Sequence, residues 1–316
     1  MSLFLTEHDV EQLVDMRAAL DAVQEALGRL AKGEAANVPR VRAKGDGIVL
    51  HSMSAAADYL GLVGTKCYTT TRDAARFHLF LYEQSSGRLV AVIEANHLGQ
   101  LRTGATSGVA ASWLAPPSAG ELGLFGSGYQ AETQLAALCA VRPIKRAFVY
   151  SRDEARRTDF AERMSRQLAI EVVPVDRPQE AAEELPIVVT ATTSRQPVFD
   201  GSWLAEEALV CAVGSNWLQR AELDTTTIRR ADHIVCDSVK ACRNEAGDFV
   251  EALHRGIFDW SRAVELSSIV AGQSQVHARG RITVFKSVGL AIEDIALGSR
   301  VLELARAQGL GVPLPF

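Results

Sequence analysis

The apolar run Leu122-Gly-Leu-Phe125, broken at once by Gly126-Ser127-Gly128-Tyr129-Gln130-Ala131, constrains this chain more than any other stretch. A predicted strand ends in a Gly-x-Gly-x-x-Ala turn, and the turn opens a helical pattern over Gln130–Val141. The first glycine of such a turn permits a tight reversal, and the second lets backbone approach a bound group closely. The small residue at the end lets helix and strand pack together. Strands are predicted at Leu122–Phe125, Ala147–Tyr150, Glu171–Val175, Ile187–Thr190, Leu209–Val213 and Ile234–Asp237, with helical segments between the first three. This alternation predicts a parallel sheet covered on both faces.

The region before it reads differently. Thr6 and Asp9 form an approximate capping box, and Asp15 caps a second helix carrying Ala18, Leu20, Val23, Ala26, Leu27 and Leu30 at helical spacing, with Gly33 as its stop. From Val38 to about Ile93 the pattern turns to short β-like runs, Gly47–Leu50, Gly61–Tyr68, Phe77–Tyr82 and Leu89–Ile93, the last two joined by a turn at Ser85-Ser86-Gly87. A helix follows over Leu101–Leu114, and Pro116-Pro117 ends it as a natural linker. A late strand at Ile282–Phe285 precedes a final helix at Ile292–Gln308. At 316 residues, two domains are expected.

The fingerprint predicts a nicotinamide dinucleotide site, because a helix N-terminus with open backbone amides receives the pyrophosphate. An acidic residue about 20 residues beyond the glycines marks NAD. Here Ser151 and Arg152 end the second strand, and a hydroxyl beside a guanidinium suits a 2′-phosphate. NADP(H) is therefore favoured, NAD(H) being the alternative that Asp153 keeps open; Asp153 itself reads as a helix N-cap. Thr190-Ala191-Thr192 and Gly214-Ser215 end the next strands and are expected at the nicotinamide end of the crevice.

Other chemistries find less support. Lys and Arg number 33 against 38 acids, a net −5 with no basic run, so nucleic acid is not an expected partner. The five cysteines form no CxxC pair and read as reduced core thiols in the cytoplasm. The seven histidines show no HxxxH spacing, so no metal is expected, although His51, His78 and His97 are candidates to touch substrate. No signal peptide or membrane span is expected. Absence of a Gly-x-Ser-x-Gly elbow argues against a hydrolase.

The chain resembles the ornithine cyclodeaminase/mu-crystallin family over essentially its whole length. The resemblance rests on Val38-Pro-Arg40, Gly64-Thr-Lys66, Leu101-Arg-Thr-Gly-Ala-Thr-Ser107, Gly126–Gln130, Asn244-Glu-Ala-Gly-Asp248 and Ile282-Thr-Val-Phe-Lys-Ser-Val-Gly289. It implies an α/β fold in which a Rossmann-type doubly wound parallel sheet (117–289) is inserted in an α+β substrate and dimerisation domain, 1–116 rejoined by a C-terminal helix at 290–316. A homodimer is implied. Activity at the α C–N bond of a small amino or imino acid is implied too. The leading expectation is reduction of a cyclic ketimine of the pyrroline-2-carboxylate type; the alternatives are a true ornithine cyclodeaminase and a crystallin-like NADPH-dependent binding protein.

By the same resemblance, Arg102 clamps the substrate carboxylate, Arg40 is the N-terminal substrate arginine, and Lys66 lies near the carboxylate and the reacting carbon. Burial among arginines would lower the Lys66 pKa and suit it to acid–base work. Arg42 competes with Arg40 for its role, and only one of them is expected to face the site. Ser287 and Val288 match a segment near the nicotinamide, while Glu245 and Asp248 read as structural. In the family's ornithine cyclodeaminases and alanine dehydrogenases an aspartate matches Asn216. An asparagine holds no proton and no ammonium charge but hydrogen-bonds an imine N–H, which favours imine reduction over ammonia release.

Overall fold

The computed structural model describes residues 2–276 and 280–315. In chain order come β1 (Leu3–Leu5), α1 (Glu7–Leu13), α2 (Met16–Ala31), β2 (Ala35–Gly45), β3 (Ile48–Ala57), β4 (Leu62–Thr70), β5 (Ala75–Glu83), β6 (Leu89–Glu94) and α3 (Asn96–Leu114). Next are β7 (Glu121–Phe125), α4 (Tyr129–Val141), β8 (Arg146–Tyr150), α5 (Glu154–Leu168), β9 (Glu171–Pro174), β10 (Ile187–Thr190) and β11 (Ala208–Ala212). There follow α6 (Thr225–Arg230), β12 (His233–Cys236), α7 (Val239–Glu245), α8 (Val250–His254), β13 (Ala263–Glu265), α9 (Leu266–Val270) and β14 (Ile282–Lys286). The chain closes with α10 (Ala291–Gln308) and β15 (Val312–Pro313). It divides into two compact units, Met1–Ala105 with Gly289–Phe316, and Thr106–Val288, so the change of unit falls inside α3 rather than at Pro116-Pro117.

The first unit is a seven-stranded sheet in the order β15-β1-β6-β5-β4-β3-β2, antiparallel except where β1 runs parallel to β6. Its strands form because burial alternates with period two. In β3, His51, Met53, Ala55 and Ala57 point inward; in β4, Leu62, Gly64, Lys66 and Tyr68 do so. Helix α10 lies on that inner face, where a Cβ on Gly64 would meet Ile295 and one on Gly298 would meet Leu79. The helix starts obey local chemistry: the Thr6 amide donates to Asp9 at 2.8 Å, and Ala18 N donates to Asp15 at 2.9 Å.

Helix α3 and strand β2 have bounds that depart from the sequence pattern. Helix α3 starts at Asn96 rather than at Leu101, because the carboxylate of Glu7 accepts from the amides of Asn96 and His97 at 2.6 and 2.8 Å. A cap supplied from so far along the chain leaves no local signature. Strand β2 extends from Ala35 to Gly45 through both arginines, held in register by β3.

The second unit is an eight-stranded sheet, parallel throughout, in the order β13-β12-β14-β11-β10-β7-β8-β9. Strands β10 and β11 are buried at every position, as strands covered on both faces must be. The order reverses direction between β7 and β10, so the crevice beyond their C-terminal ends is the topological switch point. Phe125 and Phe199 stack at 5.3 Å in the core beneath it.

Candidate active site

Lys66 stands on the core-facing register of β4, where an alternating strand normally places an apolar side chain. Its Nζ donates to Asp294 Oδ1 at 2.7 Å, and the two side chains are 2% and 0% exposed. Arg102, on α3, donates through Nε to the same Asp294 oxygen at 3.2 Å and through Nη1 to Glu293 Oε2 at 2.9 Å. Both acids lie in the first turn of α10, where the helix dipole favours negative charge. Gly99 faces the ammonium so closely that a Cβ there would lie 2.8 Å from Nζ. Burial brings Lys66 down to about 8; Asp294 opposes that fall, while Arg102 and Arg40 add to it.

An aromatic stack extends along the same face. Lys66 Nζ lies 5.4 Å from the centre of the Phe77 ring, Phe77 stacks on Tyr68 at 4.8 Å, and Tyr68 stacks on His51 at 4.1 Å. The Arg40 guanidinium sits 6.0 Å over Tyr68. His51 is almost fully buried, and its Nε2 shares a 3.0 Å hydrogen bond with Thr70 Oγ1. Burial, Arg42 and Arg40 together lower it to about 4. The expectation that only one of the two arginines faces the site is therefore corrected. Residues two apart on a strand share a face, and the register shift between Val38 and Val41 sets Pro39 and Arg40 against Met53 while Arg42 pairs with His51.

In the second unit the fingerprint takes the backbone it needs. Gly126 has φ +113°, and a Cβ on it would lie 2.5 Å from the Ala191 carbonyl oxygen at the end of β10. Gly128 is the N-cap of α4 and carries no capping side chain, so the start of that helix is open to an anion. Tyr129 is exposed, and Gln130 Oε1 is buried without a hydrogen-bond partner among the described residues. Ser127 Oγ donates to Ser151 Oγ at 2.9 Å, joining the glycine turn to the end of β8. Arg152 beside it is exposed, and Asp153 caps α5 by accepting from Arg156 N at 3.0 Å. These features fit a dinucleotide with its pyrophosphate on α4.

Sequence patterns did not single out the network that fixes the remaining strand ends. Glu222, wholly buried, accepts from Thr190 Oγ1 (3.0 Å), from Thr192 N and Oγ1 (2.7 Å each) and from Gly214 N (2.8 Å). Burial raises its pKa against the lowering influence of Lys286. Lys286, also buried, pairs with Asp248 at 2.8 Å and donates to the Ser215 carbonyl at 2.8 Å. Ser287 Oγ and Val288 N both donate to Asp237 at 2.8 Å. The side chains of Thr190, Thr192 and Ser287 are thus engaged inside the unit. Ala191 supplies the carbonyl facing Gly126, and Asn216 lies half-buried in the loop after β11. No three His, Cys, Asp or Glu side chains converge as a metal site among the described residues.

Glu293 and Asp294 were likewise missed. The available signal was two consecutive acids inside the otherwise apolar run Ala291, Ile292, Ile295, Ala296, Leu297. Acids there must be buried, and buried acids need cations.

Fold and site together define a two-unit α/β protein whose Rossmann-type sheet is inserted in a mixed-sheet unit with a buried Lys–Arg–acid cluster. The family model for "Ornithine cyclodeaminase/mu-crystallin family" matches residues 1–309. A Δ1-pyrroline-2-carboxylate reductase of Bacillus cereus is 34% identical over 240 residues, 75% of this chain and 74% of that protein. The solved Thermococcus litoralis Δ1-pyrroline-2-carboxylate reductase, in complex with NADH and L-proline, superposes with a TM-score of 0.94 at 32% identity, covering 99% of this chain and 100% of that one. An archaeal alanine dehydrogenase dimer with bound NAD superposes at 0.93 with 29% identity, covering 100% of this chain and 99% of its own. This chain belongs to the ornithine cyclodeaminase/mu-crystallin family.

The environment of His51 sets a pH dependence. Its folded pKa of about 4 lies below the ordinary 6.5, so the unfolded chain takes up a proton that the folded one refuses between those values. Stability is expected to fall as pH drops from 6.5 toward 4 and to lose this slope below that. Urea unfolding across this range should show a shallower slope for His51→Gln; identical slopes would remove the assignment.

Proposed function

We propose that this chain is an NAD(P)H-dependent reductase of a cyclic ketimine carboxylate of the Δ1-pyrroline-2-carboxylate type. The observation that carries this reading is the solvent-excluded Lys66–Asp294 pair with Arg102 and Arg40 beside it. Glu293 and Asp294 pair with Arg102 and Lys66, and Arg40 and Arg42 add positive field on the same face, suited to a substrate carboxylate. Arg102 and Arg40 orient that carboxylate, since a guanidinium matches its two oxygens. A bound dihydronicotinamide supplies the hydride. Lys66, with a pKa of about 8, is largely protonated at neutral pH and gives a proton to the imine nitrogen. Asn216, in the second unit, offers hydrogen bonding without charge, which suits an imine better than ammonia departure. The names of the similar Bacillus and Thermococcus proteins support the same reaction.

Within the second unit the pyrophosphate rests on Gly126, Ser127, Gly128, Tyr129 and Gln130, with Ser151 and Arg152 at the adenosine end. Thr190, Ala191, Thr192, Gly214, Ser215, Ser287 and Val288 shape the nicotinamide end, mainly through backbone. Five free cysteines suit a reducing cytoplasm.

Incubation with Δ1-pyrroline-2-carboxylate is expected to consume reduced cofactor steadily and yield proline. Lys66→Met should lower kcat by at least about 100-fold, the low end of general acid catalysis. Ammonia release from L-ornithine in place of imine reduction would overturn the reading.

NADP(H) is the proposed cofactor, because Arg152 is exposed at the end of β8 and no ion pair engages it among the described residues. Arg152→Gln should raise KM for NADPH about tenfold, the worth of one charge-assisted hydrogen bond, with KM for NADH unchanged. Equal effects on both cofactors would assign NAD(H) instead.

The outer face of the first sheet is proposed to bind a second copy of the chain. Val38, Val41, Ile48 and Leu50 are exposed there beside Val63 and Tyr82, an apolar surface of the kind that marks an interface. The similar alanine dehydrogenase is a dimer. Sedimentation should give a dimer that Val41→Asp weakens, and a monomeric unsubstituted protein would dismiss the assignment.

A further inference from the structure

We propose that Asp294 is a positioning residue for the proton transfer, holding Lys66 charged and aimed while Glu293 separately restrains Arg102. The inference rests on the reading of Lys66 as proton donor given above. Consecutive residues on a helix point about 100° apart, so the adjacent acids of α10 divide the two cations between them. Glu293 accepts from Arg102 Nη1, whereas Asp294 Oδ1 receives both Lys66 Nζ (2.7 Å) and Arg102 Nε (3.2 Å). The second oxygen, Oδ2, is buried and has no hydrogen-bond partner among the described residues. That free acceptor lets the carboxylate keep its grip as the ammonium shifts during transfer.

The backbone at the start of α10 is committed elsewhere. Leu290 N donates to Glu293 Oε2 at 3.4 Å and Ile292 N to Asn37 Oδ1 at 3.1 Å. Asp294 is therefore not needed as the helix cap, and its carboxylate serves the cations. A lysine buried to this degree without a counter-ion sheds its proton, since burial disfavours the charged form. The groups facing Lys66 are Asp294 from α10, Arg102 from α3 and Arg40 from β2, with the uncharged Phe77 ring from β5 and Met53 opposite it on β3. His51 and Tyr68 stand further along the stack. Asp294 opposes the loss of the proton through both its charge and its hydrogen bond.

In the step itself the Nζ–H bond breaks and an N–H bond forms on the imine nitrogen. The reduced cofactor, when bound, would supply the hydride for the neighbouring carbon, and the neutral lysine recovers a proton from water. The rate then needs protonated Lys66 and declines as pH rises through its pKa of about 8.

The test is the pH profile of kcat for imine reduction in the full-length protein. Asp294→Asn is expected to move the alkaline limb down by at least one pH unit and to lower kcat at pH 8 about fivefold or more, with NADPH affinity, measured by fluorescence titration, unchanged. An alkaline limb left in place would overturn the proposal. If Asp294→Asn does not fold, as its loss of NADPH binding would reveal, Asp294→Glu takes its place. A lowered kcat with the limb retained supports positioning, and an unchanged kcat overturns it. Lys66→Met separates the two readings: if it leaves activity intact, the proton-donor assignment falls, whereas inactivity combined with an unmoved Asp294→Asn limb sinks only the role of Asp294.

Discussion

Taking a full charge out of water costs several kcal/mol unless an opposite charge meets it, and removing one member of a buried pair costs about 3–5 kcal/mol. Both units of this protein are organised by that requirement. In the first, Lys66 and Arg102 are closed off from solvent and matched by Glu293 and Asp294 from the far end of the chain. In the second, Lys286 meets Asp248, while Glu222 gathers four donors from the end of β10 and the loops beyond β10 and β11. Each pairing joins elements that no local interaction would bring together. The C-terminal helix must return to the first sheet, and the loop carrying Asp248 must fold against β14.

The arrangement has a chemical consequence. Cations already balanced by internal acids keep their geometry whether or not a ligand is present, so the polar groups are preorganised rather than assembled on binding. Burial, together with the field of the two arginines on β2, keeps His51 neutral. A positive field beside a moderately acidic ammonium is a setting for an anion that must accept a proton. The glycine turn of the second unit follows the same logic with backbone in place of side chains. Gly126 is free to take φ +113° against the Ala191 carbonyl, and the N-terminus of α4 is left uncapped.

Much of this was legible in the residues. The period-two runs placed β4 to β6, the apolar runs placed the parallel strands, and the helix starts at Thr6, Asp15 and Asp153 follow capping chemistry. Lys66, Arg40 and Arg102 were identified as candidates, and they lie in one cluster of the first unit. The early start of α3, the role of Arg42 and the acids Glu222, Glu293 and Asp294 were not. Each depends on a partner remote in the chain: Glu7 for α3, His51 for Arg42, and Lys66 and Arg102 for the acids of α10.

By itself, then, the amino-acid order determined most element types and the dinucleotide turn, because hydrophobic period, glycine spacing and capping are short-range properties of a chain, while the cations of the site were marked by resemblance to a family. Tertiary structure alone decided which acid answers which cation and how far each ionisable group is removed from water. Those are questions of proximity in space and of local dielectric, and they have no counterpart in residue order.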